Sequence, residues 1–191
     1  DYLKNFSVLH QHVDYFVLNV SCPNVSNFTK LQDVAFLKKL LPKLKKINKS
    51  HSKQKPILIK ISPDLSNEQL DETIDLIIQE KLDGIIATNT TTKRNNLKTS
   101  KTKLKNIGNG GLSGKPITNR SNEVIKYISD KTDRKLPIIG VGGIMTPKDA
   151  LDKLDAGADL IQVYTGFIYY GPSLIKNINK LIIKNHSKSS N

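Results

Sequence analysis

The sequence has 191 residues, 37% hydrophobic and 25% charged, with a formal net charge of +13. That length suits one domain with a sizeable core, and no apolar run approaches the length of a membrane-spanning helix. The single cysteine excludes an intramolecular disulfide and a Cys-based metal cage, which favours a reducing compartment.

The charge raises the question of nucleic acid. Of the 30 basic residues only Arg94, Arg120 and Arg134 are arginine, whereas phosphate and base recognition favours the arginine fork. A solvated lysine surface is the better reading, one that suits an anionic substrate or an anionic lipid. No nucleic-acid partner is expected.

In chain order, residues 1–12 place Tyr2, Leu3, Phe6 and Leu9 at helical spacing. His10 and His12 have no companions at ligand spacing, so no metal is expected. Tyr15-Phe16-Val17-Leu18 is short, aromatic and β-branched, and reads as a buried strand. It runs into Asn19-Val20-Ser21-Cys22-Pro23-Asn24, where Pro23 stops the strand and leaves the thiol between two asparagines. An inert buried thiol and a reactive one both fit that setting. Residues 33–48 form an amphipathic helix in which Pro42 predicts a kink or a late start. His51 lies in a polar linker and is expected to be exposed.

Pro56-Ile57-Leu58-Ile59-Lys60-Ile61-Ser62 is the second strand. Lys60 is either a buried cation needing an acceptor or a strand-end lysine reaching solvent. Ser66 and Gln69 form a capping box for a helix over 66–81. Asp83-Gly84-Ile85-Ile86-Ala87-Thr88 is the third strand and ends in Thr88-Asn89-Thr90-Thr91-Thr92, a cluster of uncharged hydrogen-bonding side chains. Residues 93–115 are basic and glycine-rich and read as a long flap. A helix to residue 131 and the strand Leu136-Pro137-Ile138-Ile139-Gly140-Val141 follow, then Gly142-Gly143. Thr146 and Pro147 start the next helix as N-cap and first residue. Asp159-Leu160-Ile161-Gln162-Val163-Tyr164 is the fifth strand, and Thr165-Gly166-Phe167 leads to a last helix over 174–184. Residues 1–184 form the domain, and 185–191 read as a polar, disordered tail.

Alternating strands and helices specify an α/β fold with a parallel sheet. Gly142-Gly143 and Thr165-Gly166 are small-residue ends of consecutive strands, each followed by a helix start. That is the paired phosphate-binding arrangement of the last two strands of a (β/α)8 TIM barrel. A dinucleotide fold would instead show Gly-x-Gly-x-x-Gly on an early turn. Five βα units cannot close a barrel. With Asp1 first and Met145 the only methionine, the other strands are expected upstream.

Six motifs in this order closely resemble dihydroorotate dehydrogenase: Asn19-Val20-Ser21-Cys22-Pro23-Asn24, Ile59-Lys60-Ile61, Ala87-Thr88-Asn89-Thr90-Thr91, Gly110-Gly111-Leu112-Ser113-Gly114-Lys115-Pro116, Gly140-Val141-Gly142-Gly143-Ile144 and Tyr164-Thr165-Gly166-Phe167. The resemblance covers nearly the whole chain, as about the last five βα units of the family's barrel. It implies FMN-dependent oxidation of dihydroorotate to orotate in pyrimidine biosynthesis, with Cys22 as the base that takes a proton from C5. Asn19 would touch flavin and substrate. Asn24, Asn89 and Thr90 would hold the substrate, Lys60 would lie beside the flavin and Thr88 would line its ring. Gly114, Gly143, Tyr164 and Thr165 would hold the FMN phosphate. No metal is implied.

The 110–116 loop and the ending Tyr-Thr-Gly-Phe-Ile-Tyr-Tyr-Gly-Pro resemble the quinone-reducing, membrane-associated class, which commonly has Ser where this chain has Cys22. That class implies a quinone acceptor and peripheral membrane contact through an upstream region. Its location would be the cytoplasmic face of the membrane in a bacterium or the mitochondrial inner membrane in a eukaryote. The alternatives are a tRNA dihydrouridine synthase-like FMN barrel, which more typically shows Gly-Cys-Pro and carries an RNA-binding domain, and an inactive barrel fragment.

Overall fold

The computed structural model describes residues 1–20, 34–95 and 97–189. Helix α1 (Tyr2–Leu9) precedes strand β1 (Phe16–Asn19), and α2 (Val34–Lys49) precedes β2 (Ile57–Ile61). Then come α3 (Asn67–Gln79), β3 (Gly84–Ala87), α4 (Lys101–Ile107) and α5 (Thr118–Lys131). The chain ends with β4 (Ile138–Val141), α6 (Pro147–Asp155), β5 (Leu160–Gln162), α7 (Thr165–Tyr170) and α8 (Pro172–Ser189).

All five strands are parallel, and their order across the sheet is their order in the chain. A doubly wound sheet reverses its strand order at a switch point. Here every crossover steps the same way, as in successive units of a (β/α)8 barrel, so the expected barrel segment is the fold observed.

Strand alternation divides the sheet into two faces. Ile57, Ile59 and Ile61 of β2 join Ile85 and Ile138 in the main core, against Leu70, Ile74 and Ile77 of α3 and Val124, Ile125 and Ile128 of α5. Truncating one of these to alanine costs roughly 2–5 kcal/mol. The other face carries a smaller apolar floor of Leu58, Ile86 and Val141, with Val17 and Ile139 packed on it. Lys60, two residues after Leu58, shares that inner face. The strands thus lift polar side chains from an apolar floor at their carboxyl ends.

Two helix starts follow the sequence closely. Ser66 and Gln69 form the capping box of α3, and Thr146 caps α6 with Pro147 at its first position. Asp149 adds a second capping box that the sequence reading omitted.

Several expectations are corrected. The 93–115 flap contains α4, started by Ser100, whose side chain accepts from Lys103 N, and ended at Gly108 with φ +80°. The last helix, expected over 174–184, is α8, which continues to Ser189, and the lead-in before it forms a separate short helix, α7, ended by Gly171 at φ +61°. The polar 185–191 tail is therefore helical through residue 189, because no glycine or proline stops it. Pro42 lies inside α2, which starts at Val34. His51 is not free in solvent. Its ring stacks on buried His10 at 3.7 Å, and His10 Nε2 lies 3.0 Å from Asn48 Oδ1.

Candidate functional site

A cavity of about 300 Å³ opens at the carboxyl ends of the strands, the edge where barrels bind ligands. One wall holds Lys60, Thr88, Asn89 and Thr90. The other holds Ser113, Gly114, Gly142, Gly143, Tyr164 and Thr165.

On the first wall, Asn19 at the end of β1 stands in register with Lys60 of β2. Asn89 Nδ2 donates to Asn19 Oδ1 at 3.1 Å, while Asn89 Oδ1 accepts from Thr90 N at 2.8 Å. The amide of Asn89 is thereby fixed in orientation. Lys60 is half-buried, its Nζ 3.4 Å from Gln162 Oε1, and burial lowers its pKa from the ordinary lysine value. An uncharged acceptor leaves that cation available to an anionic ligand. Thr88 Oγ1 is the buried side-chain polar atom that finds no partner among the described residues, which marks a place for a ligand's polar edge.

Asp64, in the turn after β2, holds this wall from behind. It accepts from Thr91 Oγ1 at 2.5 Å and from Thr92 N and Oγ1, each at 2.8 Å. Burial pushes its carboxyl upward, but those hydrogen bonds and the Lys93 charge outweigh burial and hold the pKa below the ordinary 3.8. Thr91 in turn pairs with Leu112 in a short antiparallel bridge, N–H to O=C at 3.1 and 2.8 Å. The bridge joins the run 88–92 to the loop 110–114.

On the second wall, Gly142 and Gly143 have φ of +108° and +78°, a region L side chains rarely adopt. A Cβ on Gly143 would land on Thr118, at the start of α5. Thr118 Oγ1 donates to Gly143 O at 2.8 Å. Gly114, also at positive φ, would place a Cβ 3.0 Å from Thr165 Cγ2, and Thr165 Oγ1 donates to Ser113 Oγ at 2.9 Å. These glycines let the backbone pack closely on Thr118 and Thr165, so the wall presents backbone at Gly114, Gly142 and Gly143 beside the side chains of Ser113 and Thr165. Tyr164 is 77% exposed at its rim.

The structure brings together Asn19, Lys60, Thr88, Asn89, Thr90, Gly114, Gly143, Tyr164 and Thr165. Cys22 and Asn24 lie outside the described residues. No group of three or more His, Cys, Asp or Glu among the described residues is placed to hold a metal.

The family model for dihydroorotate dehydrogenase matches residues 1–185. The chain belongs to that family. It is 52% identical over 185 residues to the dihydroorotate dehydrogenase (quinone) of Christiangramia forsetii, covering 96% of this chain and 53% of the relative. It is 49% identical over 190 residues to that of Trichodesmium erythraeum, covering 96% and 49%. The chain spans about half the length of the curated relatives it matches. Among solved structures it superposes on dihydroorotate dehydrogenase from Eimeria tenella, in complex with ferulenol, with a TM-score of 0.90 and 27% identity. That match covers 100% of this chain and 54% of the other. These relatives are dihydroorotate dehydrogenases, so the tRNA dihydrouridine synthase alternative is set aside.

Sequence reasoning about this family member missed three contributors. Gln162 meets Lys60 from the far strand, and its signal was a lone amide in an aliphatic strand. Asp64 follows a proline and reads as ordinary turn chemistry. Lys153, on α6, is fully buried and hydrogen-bonded to Ser121 Oγ at 3.0 Å and Asn122 Oδ1 at 2.8 Å. No rule of composition distinguishes it from the surface lysines around it.

Proposed function

We propose that the protein to which these residues belong oxidises dihydroorotate to orotate with FMN and passes the electrons to a quinone. The observation that carries this reading is the two-sided cavity. A polar wall with a half-buried cation faces a glycine-rich wall, in a chain of the dihydroorotate dehydrogenase family. The residues fit FMN. Thr88 Oγ1 awaits a partner, and Gly114, Gly142 and Gly143 bring backbone to the cavity wall beside the hydroxyls of Ser113 and Thr165, groups that suit a phosphate. Bound there, FMN supplies the two-electron acceptor, while the protein supplies orientation and charge.

The reaction breaks two C–H bonds and forms one C=C bond: a proton leaves C5 and a hydride leaves C6. Cys22 takes the proton. A thiol of ordinary pKa, about 8.5, is a few per cent thiolate at neutral pH and a better base than an unassisted hydroxyl. Asn19 and Asn89, joined at 3.1 Å, hold the substrate's amide and carboxylate edges together with Asn24 and Thr90. Lys60 offers positive charge where the flavin ring gains negative charge. Gly114, Gly143, Tyr164 and Thr165 hold the phosphate.

The quinone acceptor is supported by the relatives, which are dihydroorotate dehydrogenases (quinone), and with it we place the enzyme at a membrane surface, where quinones dissolve. No helix of the described residues is long and apolar enough to cross a membrane; in this proposal the contact is peripheral and made through a region upstream of the chain.

The test is an electron-acceptor panel of quinone, fumarate and NAD on the full-length enzyme, with Cys22→Ala and Cys22→Ser alongside the parent. Quinone should be preferred. Cys22→Ala should lose most turnover while retaining FMN, and Cys22→Ser should keep a measurable rate. Equal rates for Cys22→Ala and the parent would remove the base, and preference for NAD or fumarate would remove the quinone.

A further inference from the structure

Lys153 is the largest fully buried polar side chain among the described residues, at 0% exposure, and it makes no ion pair there. Its ammonium donates to Ser121 Oγ at 3.0 Å and to Asn122 Oδ1 at 2.8 Å, both at the start of α5. Ser121 Oγ donates to Val141 O at 2.6 Å. Val141 O also accepts from Thr88 N at 2.8 Å. A chain of hydrogen bonds therefore runs from α6 through α5 into the wall of the cavity, ending where β3 and β4 finish.

The chemistry of the link gives it a direction. A lysine ammonium has three donors and no acceptor, whereas a serine hydroxyl has one hydrogen. While Lys153 is charged, Ser121 can only accept from it, so the hydroxyl hydrogen must go to Val141. The next residue is Gly142, where a Cβ would stand 3.3 Å from the same Ser121 oxygen. Thr118, one helical turn before Ser121, holds Gly143 O at 2.8 Å. Thr118 Oγ1 also lies 2.9 Å from Lys115 O and shares its one hydrogen between the two carbonyls, so the Ser121 hydroxyl, oriented by the buried cation, is the one committed to the turn.

Packing alone does not call for a lysine here. A buried cation facing two neutral acceptors costs stability that an apolar side chain of similar length would not. The approach of α6 is already secured by Gly140, where a Cβ would meet Ala158 Cβ at 2.9 Å and Lys153 Cβ at 3.4 Å.

We propose that Lys153 is a positioning residue for the flavin phosphate: acting through Ser121, it sets the Val141–Gly143 turn so that its backbone N–H groups meet the anion. The inference rests on the FMN reading above and deepens it. It assigns phosphate recognition to a side chain that touches neither cofactor nor substrate.

The test uses the full-length protein freed of flavin, titrated at pH 7 with FMN and with riboflavin, which lacks the phosphate, and followed by flavin fluorescence. The parent should prefer FMN. In Lys153→Met and in Ser121→Ala that preference should fall about tenfold, the equivalent of one hydrogen bond to a charged group. Riboflavin affinity should hold within about twofold, as for a group acting on the phosphate alone. The double variant should lose no more than the larger single effect, since both act through one chain. Thermal melting of the flavin-free proteins is the control, and Lys153→Met should melt no lower than the parent.

An unchanged preference in both variants would overturn the proposal. So would riboflavin and FMN affinity falling together, the mark of a purely structural lysine. Should Lys153→Met not fold, the same ratio in Ser121→Ala decides. A parent that binds neither flavin would instead overturn the FMN reading, and the inference with it.

Discussion

Lys60 Nζ on β2 reaches Gln162 Oε1 on β5 at 3.4 Å, across the two strands that lie between them. The contact joins residues 102 positions apart across the inner face of the sheet. Because the acceptor is neutral, the cation's charge is directed but not cancelled. Lys60→Met in the full-length enzyme is expected to slow dihydroorotate oxidation by about 10²-fold, the usual consequence of removing one charge-stabilising donor. FMN should remain bound with its midpoint potential lowered. Spectroelectrochemical titration measures this, and an unchanged potential would take Lys60 out of that role.

Gly143→Ala should damage the phosphate side selectively. The new methyl group would meet Thr118 backbone and side chain at a position with φ +78°, so the turn or the start of α5 must move. The strain costs on the order of 1–3 kcal/mol, and FMN affinity should fall at least tenfold. Equilibrium dialysis with FMN checks it. Tight FMN binding by this variant would show that the turn does not hold the phosphate.

Asp64 predicts an acid-side effect. Its folded-state pKa lies below the ordinary 3.8, so it stabilises the fold above that value, and the contribution is lost as pH falls through the folded-state pKa. Asp64→Asn should cost about 1–2 kcal/mol near neutrality, allowing for its partial exposure to water. The gap between parent and variant should close below pH ~4. Urea melts at pH 7, 5 and 3 follow it, and a gap independent of pH would show that the carboxylate charge contributes nothing.

Lys153 predicts an effect of the same sense on the alkaline side. Burial lowers its pKa from 10.5 to about 8 against the contrary pull of Asp149 and Asp152 on its own helix, and Ser121 and Asn122 face it from α5. Between those two pKa values the unfolded chain holds the proton that the folded chain has shed, so stability rises with pH there. The parent should gain stability relative to Lys153→Met from pH 8 to 10, read from paired denaturation curves. A constant difference would mean that the amine is equally protonated in both states.

The sequence reading succeeded where a signal is local. Ser66 with Gln69 and Thr146 with Pro147 declare helix starts within four residues, and the Gly142-Gly143 pair declares a small-residue strand end, which the structure holds at positive φ. Lys60 was left open between solvent and an acceptor because the deciding atom, on Gln162, lies three strands away. Asp64 and Lys153 escaped for the same reason: a carboxylate in a turn and a lysine on a helix are ordinary until the partner's position is known. The continuation of α8 past residue 184 was missed because polar composition suggests disorder, whereas a helix needs only the absence of a breaker. The roles of Cys22 and Asn24 rest on motif alone.

Each strand lies beside the one made just before it, so the cavity is walled in the order of synthesis. Asn19 and Lys60 leave the ribosome first, Thr88 to Thr90 next, and the glycine turn with Tyr164 and Thr165 last. Translation that stops after α5 would yield the asparagine side and the Ser113-Gly114 loop without the Gly142-Gly143 turn, Tyr164 and Thr165. Such a product would carry the wall of Lys60, Thr88, Asn89 and Thr90 with only part of the wall that faces it.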